Sequence, residues 1–305
     1  MNNDQAERLR QIVEDTKREI LQRDRNRFQM SDPSALTRII AVTSGKGGVG
    51  KTNITVNLAI ALANYGKKVL VLDGDLGLAN VDVVLGITPK YNLSHVISGE
   101  RKIKDVIVEG PGGVMVIAGG SGMQELINLS DWELVRFMLN MREMEGLFDI
   151  ILIDTGAGLS HHVLRCVLAA DEIIVVTTPE PAAITDAYAT IKLILHKNRN
   201  AKIALLMNMV RSIQDAQRMA ERLTAVVKRF IGVSIDFYGY IRDDQFVEKA
   251  IRNQEPFVLS FPAAAASSEI NRLAADLTDN QYRPAPAQLG GVGRFIRRLT
   301  GLFSR

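Results

Sequence analysis

Between an apolar run at residues 38–42 and a helical pattern that begins near Asn53, the chain reads Ser44-Gly45-Lys46-Gly47-Gly48-Val49-Gly50-Lys51-Thr52. A strand that feeds four glycines and then a helix can turn successive backbone N–H groups inward, because glycine tolerates positive φ and close backbone approach. The helix that follows points its positive N-terminal end at the same place. The spacing G-x-x-x-x-G-K-T suits a phosphate cradle in which Lys51 reaches the β- and γ-phosphates and the Thr52 hydroxyl is one ligand of an octahedral Mg2+.

Downstream, β-rich apolar runs alternate with helical patterns, which predicts an α/β fold: a doubly wound, mostly parallel sheet flanked by helices. Strands are expected at residues 38–43, 68–73, 114–118, 149–154, 172–177, 202–208 and 235–241; their continuous Val/Ile/Leu content suits burial on both faces. Helices are expected at residues 51–65, 131–145, 160–169, 181–197, 213–230, 244–253 and 266–280, with Gly66 capping the first in the left-handed region. The organisation reads as an N-terminal segment (1–35), one α/β domain that carries the phosphate loop (36–280), and a linker with an amphipathic helix (281–305).

Lys46 stands too early in the loop to duplicate Lys51. The pattern K-G-G-x-G-K-T resembles the deviant Walker A loop of the MinD/ParA family of P-loop ATPases, whose first lysine reaches across a dimer interface to the partner's nucleotide. The resemblance implies ATP and Mg2+ as cofactors, with Gly45, Lys46, Gly47, Gly48, Val49, Gly50, Lys51, Thr52 and Asn53 around the nucleotide. It also implies an ATP-dependent homodimer and slow, partner-modulated hydrolysis to ADP and phosphate. Taken alone, Lys46 reads as a solvated loop lysine; the rest of the motif outweighs that reading.

Ligands of such sheets bind beyond the carboxyl ends of the strands, so the residues there should converge on the loop. After the second strand, Asp73-Gly74-Asp75-Leu76-Gly77-Leu78-Ala79-Asn80-Val81-Asp82 resembles the switch I of MinD-like ATPases. By that resemblance Asp75 orients and helps deprotonate the attacking water, Asp73 supports the loop and the Mg2+ environment, and Asn80 and Asp82 shape the switch. Asp154-Thr155-Gly156-Ala157-Gly158 offers a Walker B-like carboxylate, with Asp154 holding Mg2+ through water and two glycines free to rearrange. The metal set is thus Thr52, Asp73, Asp75 and Asp154, and the catalytic set Asp75, Lys46 and Lys51.

No N-K-x-D or T-K-x-D segment, which marks guanine binders, occurs. Instead a strand ends at Asn208, where the resemblance implies an amide that contacts adenine; such an amide can pair with both N6–H and N7. A strand-end Asn that only caps the next helix is the plainer alternative. Residues 240–244 match the family segment that walls the base, except that Arg242 stands where proline is common.

Composition restricts the remaining choices. The 305 residues, 47% hydrophobic, can bury one sizeable core, and no apolar run is long enough for a membrane span. Residues 1–27 contain no secretory apolar core, and a single cysteine, Cys166, fits a reducing cytosol. That lone cysteine also argues against the iron–sulfur branches of the family, and the adjacent His161 and His162 point in different directions on a helix, without metal-ligand spacing. The net charge is +3, yet five arginines lie between Arg283 and Arg305 with no acidic residue, so the rest of the chain carries −2. That balance argues against DNA as a primary partner.

The five-arginine tail holds Val292, Phe295, Ile296, Leu299, Leu302 and Phe303 on one helical face, with Arg294, Arg297, Arg298 and Arg305 expected on the other. A basic amphipathic helix of this kind can lie in an anionic membrane surface, or it can pack on the protein's own core or a partner. Its position resembles the membrane-targeting sequence of MinD. At the other end, Asp4-Gln5-Ala6-Glu7-Arg8-Leu9-Arg10 resembles the D-Q-A-x-x-L-R element of the flagellar number regulators, the MinD-like group known as FlhG, FleN or YlxH. The resemblance implies that Asp4, Gln5, Ala6, Leu9 and Arg10 stimulate the signal-recognition-particle-type GTPase FlhF, with flagellar switch-complex components as further partners. A solvated leader helix is the alternative.

The sequence therefore points to a cytoplasmic ATPase, reversibly peripheral at the inner face of the cell membrane, that regulates flagellar number or placement. Two other readings remain: a division-site MinD, and a ParA-like DNA-partition ATPase using Arg218, Arg222, Lys228 and Arg229 on phosphates.

Overall fold

The apolar runs without helical spacing become strands that pair into one sheet, and the amphipathic segments between them cross over its two faces. The computed structural model describes residues 37–75, 80–120, 131–158, 160–279 and 290–301. Eight strands, β1 (Arg38–Ser44), β2 (Val69–Gly74), β3 (Ile107–Glu109), β4 (Met115–Ile117), β5 (Ile150–Ala157), β6 (Glu172–Thr177), β7 (Ile203–Val210) and β8 (Asp236–Arg242), lie in the order β3-β4-β2-β5-β1-β6-β7-β8. All pairings are parallel except β3 with β4. That antiparallel edge strand was absent from the sequence expectation.

Between the strands run α1 (Lys51–Asn64), α2 (Val81–Leu85), α3 (Leu93–Ile97), α4 (Asp131–Arg142), α5 (His161–Ala169), α6 (Pro181–Lys197), α7 (Ile213–Ile231), α8 (Gln245–Arg252), α9 (Phe257–Ser260), α10 (Ala265–Asp279) and α11 (Gly291–Gly301). Successive residues of a strand point to opposite faces, so Ile40 and Val42 join the cluster under α1 and α10, while Ile39 and Ala41 join the cluster under α4 to α7. Gly66 follows α1 at φ 79°, the left-handed position expected of it. Among the described residues no helix is long and apolar enough to cross a membrane.

The tail helix α11 takes the alternative in which it packs on the protein's own core, and it corrects the expected place of Arg294. Val292, Phe295, Ile296 and Leu299, assigned to a lipid face, are at most 4% exposed and belong to the core cluster beneath α4 and α5. Arg294, assigned to the opposite polar face, is 6% exposed and turns inward, its Nε and Nη2 donating to the two oxygens of Asp171 at 3.1 and 3.2 Å. Arg298 does project outward as expected, yet donates to Ala170 O at 2.9 Å. The Glu145 carboxylate accepts the N–H groups of Gly291, Val292 and Gly293, satisfying the orphan donors of the helix start. Burial raises the Glu145 pKa, against the pull of these N–H donors. Leu302 and Phe303 lie outside the described residues.

Candidate nucleotide site

The phosphate loop connects β1 to α1 at the carboxyl edge of the sheet. Gly48 and Gly50 take φ values of 81° and 83°, and Gly50 is the residue from which α1 starts. A Cβ on Gly45 would stand 2.4 Å from the Asp186 backbone, so only glycine lets the loop sit against α6. Asn53 lies in the first turn of α1, where the backbone N–H groups have no intrahelical acceptor.

Asp154, fully buried in the second half of β5, is the hub of the site. Its Oδ1 accepts from Lys51 Nζ at 2.9 Å and from Thr55 Oγ1 at 3.0 Å, and its Oδ2 accepts from Thr52 Oγ1 at 2.7 Å. Lys51 is itself only 7% exposed, so the pair forms in a low-dielectric setting where each partner needs the other. Thr55 was missed in the sequence; the signal available was its place four residues after Lys51, on the same helix face.

Asp73 is the register partner of Asp154 across β2 and β5. Burial pushes its pKa up to about 7, with the Asp154 carboxylate contributing, although the Asp75 and Asn80 N–H groups donate to it at 3.0 and 3.3 Å. Asp75 is half-buried at the end of the same strand, next to Gly156: a Cβ on Gly156 would lie 3.2 Å from Asp75 Oδ1. Gly158 N–H donates to Ser44 O at 2.9 Å, so the chain leaving β5 is tied to the end of β1, where the phosphate loop begins. A buried lysine, a hydroxyl and clustered carboxylates under an N–H-lined loop form the donor set that a magnesium-bound triphosphate requires.

The two loop lysines diverge. Lys46 Nζ donates to Glu180 Oε1 at 2.8 Å, and this pair is exposed, at 39% and 57% for the two side chains. Glu180 is the residue before α6, just past the β6 carboxyl end; its location beyond a strand end was the signal that could have found it. On the far side of the loop, Asn208 Nδ2 donates to Val49 O at 2.8 Å. The structure thus gathers the loop, Asp73, Asp75, Asp154 and Asn208 at one edge. Among the described residues no three His, Cys, Asp or Glu side chains are placed to hold a metal ion on their own, so these carboxylates would need phosphate oxygens and water to complete a magnesium site. Asp4, Gln5, Ala6, Leu9 and Arg10 lie outside the described residues.

A family model described as an AAA domain matches residues 37–207. The chain is 40% identical over 262 residues to the antiactivator FleN of Pseudomonas aeruginosa, covering 86% of this chain and 93% of that protein. It is 36% identical to the flagellum site-determining protein YlxH of Helicobacter pylori, covering 88% and 91%. Among solved structures, the septum site-determining protein MinD of Pyrococcus horikoshii, complexed with Mg-ADP, superposes with a TM-score of 0.65 at 28% identity, covering 83% of this chain and 100% of that one. The chain is accordingly an ATPase that works on ATP with Mg2+. With a family match over more than half of the chain and near-complete alignment to FleN, the chain belongs to the MinD/ParA family of P-loop ATPases.

Proposed function

We propose that the chain is a dimerising, membrane-cycling ATPase that regulates flagellar number or placement, and that its N-terminus stimulates the GTPase FlhF. The observation that carries this reading is the division of labour between the lysines. Lys51 is turned inward on Asp154, whereas Lys46 stands on the exposed rim beside Glu180, available to a second copy of the chain. The likeness to FleN and YlxH supplies the flagellar setting.

In this reading Lys51, the loop N–H groups and Thr52 hold the phosphates and their Mg2+, a task that is mostly positioning and charge neutralisation. Asp73 and Asp154 would hold the Mg2+ through its waters, and Asp75 would align the attacking water and take up its proton. Lys46 leaves Glu180 and bridges to the partner's phosphates, so each subunit completes the other's site. Gly156 and Gly158 shift as the γ-phosphate departs. The tail gains lipid affinity when two copies act together, because the second insertion is intramolecular.

Light scattering after size exclusion, with ADP or a nonhydrolysable ATP analogue, tests the dimer; monomers under both conditions would remove it. Adding a peptide of residues 1–25 to FlhF tests the partner reading. Unchanged GTP turnover would remove that part and leave the ATPase standing.

A further inference from the structure

Two carboxylates each hold the first residues of β1 and the tail helix at once. Glu145, just after α4, accepts Thr37 N–H and Gly291 N–H on Oε1, both at 3.1 Å, and Val292 N–H on Oε2 at 2.7 Å. Asp171, between α5 and β6, accepts Ile39 N–H on Oδ2 at 3.3 Å, and the same oxygen accepts Arg294 Nη2 at 3.2 Å. Its Oδ1 accepts Arg294 Nε, and Arg298 Nη1 adds a longer contact at 3.4 Å. With these two arginines over it, the Asp171 side chain is only 2% exposed.

The backbones touch as well. A Cβ on Gly291 would stand 1.5 Å from Thr37 O, so the tail begins directly on the residue from which β1 departs, and Thr37 is fully buried there. Arg38, between the two bridged residues, is anchored elsewhere: its guanidinium grips Glu172 and donates to Leu277 O at 2.9 Å, and its N–H donates to Asp149 O. The strand is therefore secured in the sheet without the tail. What depends on α11 is the entry to the strand, where the preceding chain joins the fold.

We infer that Glu145 and Asp171 form a latch that couples the two ends of the chain: docking of α11 closes the entry of β1 at Thr37 and Ile39, and release of α11 opens it. The inference rests on the membrane-cycling reading and adds to it a consequence for the N-terminal end. With α11 docked, the bonds from the Thr37 and Ile39 N–H groups to these carboxylates form away from water, where charge-assisted bonds are strongest. Once α11 leaves, Glu145 loses the N–H groups of Gly291, Val292 and Gly293, Asp171 loses Arg294, and water reaches both carboxylates and competes for the two amides. Coupling of this kind is reciprocal. An anionic lipid surface that captures the tail loosens the N-terminal junction, and a protein partner that draws on the chain before Thr37 favours release of the tail.

Hydrogen exchange of the full-length protein, followed through overlapping peptides, tests this in buffer and on vesicles of phosphatidylglycerol and phosphatidylethanolamine with a nonhydrolysable ATP analogue. A second arm uses Phe295→Glu in buffer, which puts a charge on the buried face of α11 and leaves Glu145, Asp171 and Thr37 unaltered. In both arms the amides of Thr37 and Ile39 are expected to exchange at least about tenfold faster, together with those of residues 291–294, while Val42 and Ile153 keep their protection. Full protection of Thr37 and Ile39 in the variant, or in vesicle-bound wild type, overturns the latch. So does exchange that rises equally at Val42 and Ile153, since that is general loosening. Wild-type protein that leaves the vesicles unbound removes the membrane reading instead, and the variant then decides the latch alone.

Discussion

Lys46 Nζ lies 2.8 Å from Glu180 Oε1, on the opposite side of the phosphate loop's sequence from Lys51, whose Nζ lies 2.9 Å from Asp154 Oδ1. Two lysines five residues apart thus serve different carboxylates, one exposed and one buried. An exposed pair contributes about 0–1 kcal/mol and is readily exchanged for another anion. Lys46→Gln is therefore expected to leave folding stability and ADP affinity nearly unchanged while abolishing dimers with a nonhydrolysable ATP analogue. Light scattering reads this directly, and retained dimers would refute a role across the interface.

The buried pair behaves differently. Asp154→Asn removes the charge that compensates Lys51, and unpairing a buried ion typically costs about 3–5 kcal/mol. The urea midpoint should fall clearly, and Mg-nucleotide affinity should fall with it because an amide leaves only one acceptor oxygen where Thr52 and Thr55 now use two. An unchanged midpoint would show that the hub is not a structural requirement.

Asp75 lies beside Gly156 at the junction of the two switch segments. Asp75→Ala should bind ATP with affinity within a few-fold of wild type, stop hydrolysis, and so accumulate dimers on ordinary ATP. A chain that still released phosphate at the wild-type rate would place the water-activating group elsewhere.

Much of this site was legible because glycine spacing, a lysine and strand-end carboxylates are local signals. The strand at Glu172–Thr177 and the helix at Pro181–Lys197 have the bounds expected from periodicity. The strand β3 and the five-residue helices α2 and α3 were not expected, since three to five residues hold too little pattern to count. The β5 strand also runs past Asp154 to Ala157, because Ala157 pairs with Ser44 of β1, a contact no local pattern encodes. The tail shows the same limit. Its apolar period was visible, but the period does not say what covers it, and Arg294 is captured by Asp171 from 123 residues away.

Cys166 on α5 offers a pH-dependent readout. Burial pushes its thiol from an ordinary value near 9 up to about 12. Below pH 9 the thiol is protonated in both folded and unfolded chains, so its contribution to stability is fully present there and is lost as pH rises from about 9 to about 12. At pH 8 the native protein should resist alkylation by iodoacetamide over hours, and the urea-unfolded chain should react within minutes. Rapid labelling of the native protein would mean that α5 is uncovered in solution.

Docking α11 on the core and inserting it in lipid bury the same four apolar side chains, so the hydrophobic terms of the two states largely cancel. The balance then falls to the polar contacts: Glu145 on the helix start and Asp171 on Arg294 in the docked state, anionic headgroups in the other. Gly291 gives a way to tilt it without touching the apolar face. A Cβ there would stand 1.5 Å from Thr37 O, so Gly291→Leu cannot dock as the wild type does. It should sediment with anionic liposomes without ATP, whereas Phe295→Glu, with a charge on the buried face, should sediment under neither condition. If Gly291→Leu binds vesicles no better than wild type with ADP, the docked helix is not what withholds the tail from the membrane.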